Sequence, residues 1–365
     1  SNDKLSDLTR MNKQNKIVVG ISIGDLNGIG SEVVLKTLQD PRILDFFTPV
    51  IFASIKIMTY FKKAYQIECN LNGIDKIENI DHHKINVFNV WNEPIDINFG
   101  KEDLNTGAYA IKSLKSAVSA LKNNNINVLV TAPINKSIIQ SKDFNYPGHT
   151  DFLNKELEGE SLMLMISDSL RVGLLTDHVA VKDVSQSITK ELVERKIKTI
   201  KDTLIQDFGI RKPKIAVLGI NPHNGDHGVI GNEDDTVLRP TLDEIYKKGT
   251  LVYGPYAADS FFGSGNYEKF DAIIASYHDQ GLIPFKTLSF GKGVNYTAGL
   301  NKIRTSPDHG TAFDIAGKNI ANNDSFKEAV FSAIEIFKKK EEYKNLSKNR
   351  LETIVQKKEF HHKRQ

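Results

Sequence analysis

This sequence predicts an α/β fold built on a mostly parallel sheet, and three observations carry that expectation. Short apolar runs alternate with amphipathic stretches along the chain. The runs are continuously apolar, as in strands covered on both faces. Several end in a histidine or a carboxylate, at the place where open α/β sheets bind their ligands. At 365 residues the chain has the length of two domains, although the alternation alone is equally compatible with one doubly wound sheet.

IVVGISIGD (17–25) reads as a buried strand and GSEVVLKTLQD (30–40) as the helix after it. The Leu26-Asn27-Gly28-Ile29-Gly30 stretch between them is a tight strand-to-helix turn. Val33 stands where a G-x-G-x-x-G dinucleotide fingerprint needs glycine, and no Walker lysine follows. Asp25 and Glu32 are the polar candidates of this turn. Alternation continues through TPVIFAS (48–54), a helix over 55–65, KINVFNV (84–90), a polar connection at about 91–106, the helix GAYAIKSLKSAVSALKNN (107–124) and INVLVTAPI (126–134). A short helix is expected after Asn135-Lys136. In YPGHTDFL (146–153), Pro147-Gly148 forces a turn and the next helical pattern starts at Asp151. His149 and Thr150 then sit at a helix N-terminus, where free amides favour an anion; alternatively Thr150 only caps the helix and His149 lies in solvent.

Strands at 161–167 and 170–176 lead to Asp177-His178, and a long amphipathic helix at about 184–208 leads to strand 214–220 and His223. The loop NGDHGVIGNEDD (224–235) is too long and polar for a plain connection. His227 is expected in solvent, and Glu233, Asp234 and Asp235 at the start of a helix. Asp259 lies among small and apolar residues in VYGPYAADSFF (252–262) and needs a metal, a cation or a helix start as partner. The buried run Ala272–Ala275 stops at His278-Asp279. Asn295, Arg304 and Asp308-His309 fall in the glycine-punctuated stretch 293–318. SFKEAVFSAIEIFKKK (325–340) has the spacing of a packing helix, and 341–365 is polar and peripheral.

Composition narrows the function classes. Hydrophobic residues at 40% and charged residues at 25% fit an ordinary globular protein, and the net charge of +3 comes largely from the basic C-terminal end. Nucleic-acid binding is poorly supported by such a run. No apolar run has transmembrane length, and the N-terminus lacks the apolar segment of a signal peptide. A single cysteine, Cys69, excludes an intramolecular disulfide or a cysteine-built metal cluster and fits a reducing, cytoplasmic setting. His178, His223 and His278 are three imidazoles each delivered from a strand end, a donor set that suits zinc and similar divalent ions.

Taken together, GDLNGIGSE (24–32), VTAPINK (130–136), YPGHTDFL, TDHVAVKDV (176–184), NPHNGDHGVIGNEDD (221–235), GPYAADSFF (254–262), YHDQGLIPFK (277–286) and GVNYTAGLNKIRTSPDHGTAFDIAGK (293–318) resemble the 4-hydroxythreonine-4-phosphate dehydrogenase family, in the family's order over most of 17–320. DHGTAFDIAGK also resembles the adenosine-side loop of the isocitrate and isopropylmalate dehydrogenases. The resemblance implies two α/β/α domains with a cleft between them, one from 1–145 plus 287–365 and one from 146–286. It implies His178, His223 and His278 as ligands of one divalent ion (Zn, Mg or Co) at a site shared by a homodimer. It implies His149, Thr150, Lys286, Asn295 and Arg304 as substrate-binding residues, and Asp308, His309, Gly310, Thr311 and Asp314 as the NAD or NADP loop.

The implied reaction is oxidation of 4-phosphooxy-L-threonine to a β-keto acid that decarboxylates to 3-amino-2-oxopropyl phosphate, in pyridoxal 5'-phosphate biosynthesis. Asp259, Asp279 and Lys286 are the candidates for proton transfer. Leu26, Ser31 and Asp177 depart from the family pattern, which leaves open a sister activity on D-threonate or D-erythronate 4-phosphate. A metal-dependent hydrolase or a phosphate acyltransferase would use similar features without NAD(P).

Overall fold

The computed structural model describes residues 16–362. The N-terminal stretch read above for a signal peptide, up to residue 15, and residues 363–365 at the basic C-terminal end lie outside the described residues. The chain divides into two compact units. One runs to Ser169 and resumes over Phe285–Ile334; the other comprises Leu170–Pro284 and the chain from Glu335.

In the first unit the elements are β1 (Val18–Ser22), α1 (Gly30–Leu38), β2 (Thr48–Ala53), α2 (Ile55–Ala64), β3 (Leu71–Ile74), β4 (Ile85–Asn89), α3 (Leu104–Lys122), β5 (Val128–Thr131), α4 (His149–Glu156) and β6 (Gly159–Ile166). The second unit contributes β7 (Arg171–Leu174), α5 (Val184–Ser187), α6 (Lys190–Gln206), β8 (Ile215–Leu218), α7 (Arg239–Lys247), β9 (Val252–Tyr256), α8 (Ala258–Gly263) and β10 (Ala272–Ala275). Helix α9 (His278–Ser289) leads back to β11 (Val294–Leu300) and β12 (Ile303–Pro307), and α10 (Asp324–His362) closes the chain.

In the first unit strands run in the order β3-β4-β2-β1-β5-β12-β11-β6. Pairing is parallel from β3 to β12 and antiparallel from β12 through β11 to β6. The second unit has the parallel order β7-β10-β8-β9. β1, β2 and β5 are buried at every residue, which is why their sequences are apolar without alternation. Helix α3 presents Ala110, Leu114, Ala117, Val118 and Leu121 at helical spacing to a core containing Val50, Phe52, Leu129, Phe144 and Phe152. Asp103 caps it, its side chain accepting from Asn105 N at 2.8 Å. The expected α/β class is the one found.

The unit limits differ from the expected 145/146 and 286/287, and the chain from Glu335, expected with the first unit, belongs to the second; side-chain packing explains the first difference. Phe152 and Leu153 of α4 belong to the first unit's core, and β6 pairs with β11, so the chain stays in that unit to Ser169. Local elements also differ. The short helix expected after Lys136 is a set of turns, and the helix expected at 184–208 breaks at Ile188, where Thr189 caps a new start by accepting from Leu192 N at 3.2 Å. β3 was not expected. The packing helix of 325–340 continues to His362, with pairs such as Lys339–Glu342 and Lys344–Glu341, both 3.6 Å, along the polar part. No helix among the described residues is long and apolar enough to cross a membrane.

Candidate active site

Arg304 on β12 is the residue around which the first unit's polar interior is built. It is only 3% exposed, and its guanidinium meets hydroxyls alone. Nε and Nη2 donate to Thr131 Oγ1 at 3.0 and 2.8 Å, and Nη1 donates to Thr297 Oγ1 at 3.0 Å. Parallel pairing of β12 with β5 and antiparallel pairing with β11 bring these two threonines to it. Burial pulls the guanidinium down to about 9. A buried arginine without a carboxylate partner carries a desolvation cost of several kcal/mol in order of magnitude, which an arriving anion offsets.

His149 opens α4, and both local expectations about it are now resolved. Gly148 is the N-cap, no side chain caps the helix, and Thr150 lies within the first turn, so Thr150 is not the cap. Nor is His149 solvated: its Nε2 is buried without a hydrogen-bond partner. Its pKa lies well below the usual histidine value, first because of burial and then because of the positive charges of Arg304 and Lys136. The ring is therefore neutral at pH 7, beside a guanidinium and the free amides of a helix start.

Lys286 on α9 pairs with Asp308 at 3.3 Å, an aspartate with a side chain only 10% exposed that burial pushes up and Lys286 pulls down. Asp308 is thus tied to Lys286 within the candidate cofactor loop. Asn295 is half-buried on β11, opposite Ser306 and Met165. In the same loop His309 Nδ1 donates to Gly310 O at 3.0 Å, leaving a buried, unpartnered Nε2 to accept from a ligand. A Cβ on Gly310 would meet nothing within 4 Å. Thr311 O accepts from Ile29 N at 2.9 Å, which locks this loop onto the glycine turn after β1; Asp314 is exposed. That turn needs its glycine: Gly24 has φ +72, and a Cβ there would fall 2.3 Å from Pro133 O.

Asp25, in the same turn, is 1% exposed, with Oδ1 accepting from Asn27 N at 2.9 Å and Oδ2 unpartnered. Burial pushes its carboxyl up to about 6. A folded pKa above the unfolded one means that the folded protein gains from protonating Asp25, so this group's contribution to stability is fullest below about pH 4 and is lost as pH rises through about 6. Measured against Asp25→Asn, wild type is expected to lose on the order of 2 kcal/mol between pH 4 and 7. Denaturation of both at the two pH values checks this; parallel pH profiles would rule it out.

The candidate metal residues all lie in the second unit. The His178 and His278 rings are 6.2 Å apart, centroid to centroid. His278 starts α9, and its Nδ1 donates to Asp279 Oδ1 at 2.8 Å, which leaves Nε2 free to ligate, as histidine ligands backed by a carboxylate do. Asp279 is engaged there, and Asp259 found the helix start it needed, exposed in the first turn of α8. His223 is exposed at φ +52 in a left-handed run with Asn224, Asp226 and His227, the last exposed as expected. Among the described residues no group of three or more His, Cys, Asp or Glu is assembled to hold a metal ion. Two imidazoles with free faces fit as part of such a set.

Asp234 carries a role that sequence reading missed. It is fully buried, and its carboxylate accepts from Ile220 N at 2.7 Å and Asn221 N at 3.0 Å, fixing the chain just before His223. Thr131 and Thr297 were missed as well; the only signal was that Thr131 lies in the VTAPINK segment.

With this geometry in hand, comparison with known proteins decides the family. Residues 45–333 match the family described as pyridoxal phosphate biosynthetic protein PdxA. The chain belongs to the PdxA family. A 4-hydroxythreonine-4-phosphate dehydrogenase of Bacteroides thetaiotaomicron is 45% identical over 334 residues, 91% of this chain and 92% of that protein. A relative from Oceanobacillus iheyensis, provisionally named a D-threonate 4-phosphate dehydrogenase, is 36% identical and covers 88% of this chain and 98% of its own length. Among solved PdxA-family structures, the 4-hydroxythreonine-4-phosphate dehydrogenase of Klebsiella pneumoniae matches with a TM-score of 0.75 at 30% identity, over 88% of this chain and 98% of that one.

Proposed function

We propose that this PdxA-family chain is an NAD(P)-linked dehydrogenase that oxidises the secondary alcohol of 4-phosphooxy-L-threonine to a β-keto acid, which then loses carbon dioxide to give 3-amino-2-oxopropyl phosphate for pyridoxal phosphate biosynthesis. The observation that carries the reading is Arg304, buried without an anionic partner beside His149 and the open N-terminus of α4. Such a pocket is matched by a phosphate or carboxylate group. In this reading Arg304 grips the anion through its planar fork, with Thr131 and Thr297 holding the fork in place. His149 offers a neutral ring nitrogen, and Thr150 and Asn295 complete the polar lining.

The loop Asp308-His309-Gly310-Thr311 and Asp314 would hold the adenosine side of NAD or NADP, which would supply the hydride acceptor. Lys286 takes the hydroxyl proton at Nζ in its neutral form, after its own proton has passed to solvent and its ion pair with Asp308 has opened. Asp279 is occupied in orienting His278, and Asp259 stands on an exposed helix turn. Lys286→Arg, which keeps the ion pair with Asp308 but cannot become a neutral proton acceptor, should therefore lower kcat more than it raises KM.

His178 and His278, with His223, would hold a divalent ion, which supplies Lewis acidity towards the substrate oxygen. Because the family resemblance implies a site shared by two subunits, and His178 and His278 adjoin each other in one chain, we assign His223 to the other subunit's contribution in a homodimer. A cytoplasmic enzyme without nucleic-acid or membrane partners completes the reading.

The second candidate substrate is D-threonate 4-phosphate, the name carried by the Oceanobacillus iheyensis relative. Following NADH and NADPH formation with each phosphorylated acid tests both. Turnover of 4-phosphooxy-L-threonine with the higher kcat/KM is the expected result; a preference for D-threonate 4-phosphate would move the chain to the sister activity, and no reduction of either nucleotide would overturn the dehydrogenase reading.

A further inference from the structure

The turn that follows β5 carries a cation, Lys136, to which nothing above gives a part in binding. Lys136 is exposed, yet it is close to the buried subsite: its Cε lies 3.5 Å from where a Cβ on Gly148 would stand, directly before His149. Its charge acts on the His149 ring together with that of Arg304. No carboxylate pairs with it among the described residues.

A lysine in a loop is usually free to wander, but the residues on either side of this one are held. Glu102 Oε1 accepts from Asn135 Nδ2 and from Ser137 Oγ, each at 3.2 Å. Asn135 Oδ1 in turn accepts from Ser137 N at 3.1 Å and from Ser137 Oγ at 2.7 Å. One carboxylate therefore pins both neighbours of Lys136 while leaving its ammonium unneutralised. Gly148 lies alongside the lysine stem, where a Cβ would make an ordinary van der Waals contact with Lys136 Cε.

We infer that Lys136 is an additional substrate-binding residue, a solvent-side cation that closes over the anion held by Arg304 and the α4 N-terminus, and that Glu102 is its positioning residue. Arg304 alone balances one negative charge; a phosphate monoester carries close to two at neutral pH. The second charge is met by an ammonium on a flexible stem, which enters and leaves with the ligand, whereas the guanidinium stays fixed. The chemical class selected is thus the dianionic phosphate ester over a singly charged carboxylate of similar size. This inference rests on the anion subsite proposed above.

The test uses the full-length protein, with inorganic phosphate as a direct probe by calorimetry and 4-phosphooxy-L-threonine for kinetics. Lys136→Met should weaken phosphate binding and raise KM by about tenfold, with the smaller part of any loss in kcat, and the defect should shrink as salt is added. Lys136→Arg should recover most of the affinity. Glu102→Gln should raise KM by about threefold without changing the melting temperature, an effect that a purely structural role would not produce. Phosphate binding and KM unchanged in Lys136→Met, in a wild type that binds phosphate and turns over, would overturn the inference and leave the Arg304 subsite standing. A wild type that neither binds phosphate nor oxidises the substrate would instead overturn the subsite itself, and this inference with it.

Discussion

Arg304→Met is expected to abolish turnover and phosphate binding while holding or raising the melting temperature of the ligand-free protein. The guanidinium is buried against three hydrogen bonds to hydroxyls and has no carboxylate to repay its desolvation. Replacing a buried ionic group by an apolar one of similar volume is commonly neutral or stabilising by about 1–4 kcal/mol. Function is the opposite case. Losing a bidentate charge contact in a dry site costs on the order of 3–5 kcal/mol of transition-state binding, a fall in kcat/KM of at least a hundredfold. Arg304→Lys keeps the charge without the fork and should fall between the two. Thermal melts with and without phosphate, beside steady-state kinetics, measure both halves. A sharp drop in melting temperature for Arg304→Met with phosphate stabilisation retained would mean that the arginine is structural.

His223→Ala should remove activity and bound divalent metal together and leave the melting temperature of the metal-free protein within a few degrees of wild type. The side chain is exposed on a loop whose shape comes from Asp234 and the 220–221 amides, so truncating it removes little packing. The residue's left-handed backbone is also no easier for alanine than for histidine, which limits any gain. Metal content by elemental analysis and melting of stripped protein decide the matter. Retained metal with a lowered melting point would assign His223 to the fold.

The same geometry sets the outcome of mixing experiments. Mixed His223→Ala and His278→Ala chains should regain part of the wild-type activity, because a hybrid dimer assembles one intact site. Mixed His178→Ala and His278→Ala chains should regain none, since those two rings adjoin each other within one chain. Recovery only in the second mixture would reverse the assignment of donors to subunits.

Sequence by itself determined the α/β class, because β1, β2, β5, β8 and β10 are buried throughout and so had to be apolar without alternation. It also determined the family and most of the candidate residues, since the motifs that carry them are local: a histidine after a strand, a glycine where φ must be positive. Tertiary structure decided what those residues face. Whether His149 and Thr150 open an anion site, or Thr150 only caps the helix with His149 in solvent, was open locally; the burial of His149 Nε2 and the neighbouring charges of Arg304 and Lys136, from strands and turns distant in sequence, decided the environment of His149. Thr131 and Thr297 gain their roles only through strand register, which no single segment contains. Asp259 and Asp279 looked alike as carboxylates after apolar runs; one became a helix start and the other the support of His278. Burial and partner geometry arise from contacts between segments far apart in the chain, so the chemistry of a charged residue is written in the residue but its use is written in the fold.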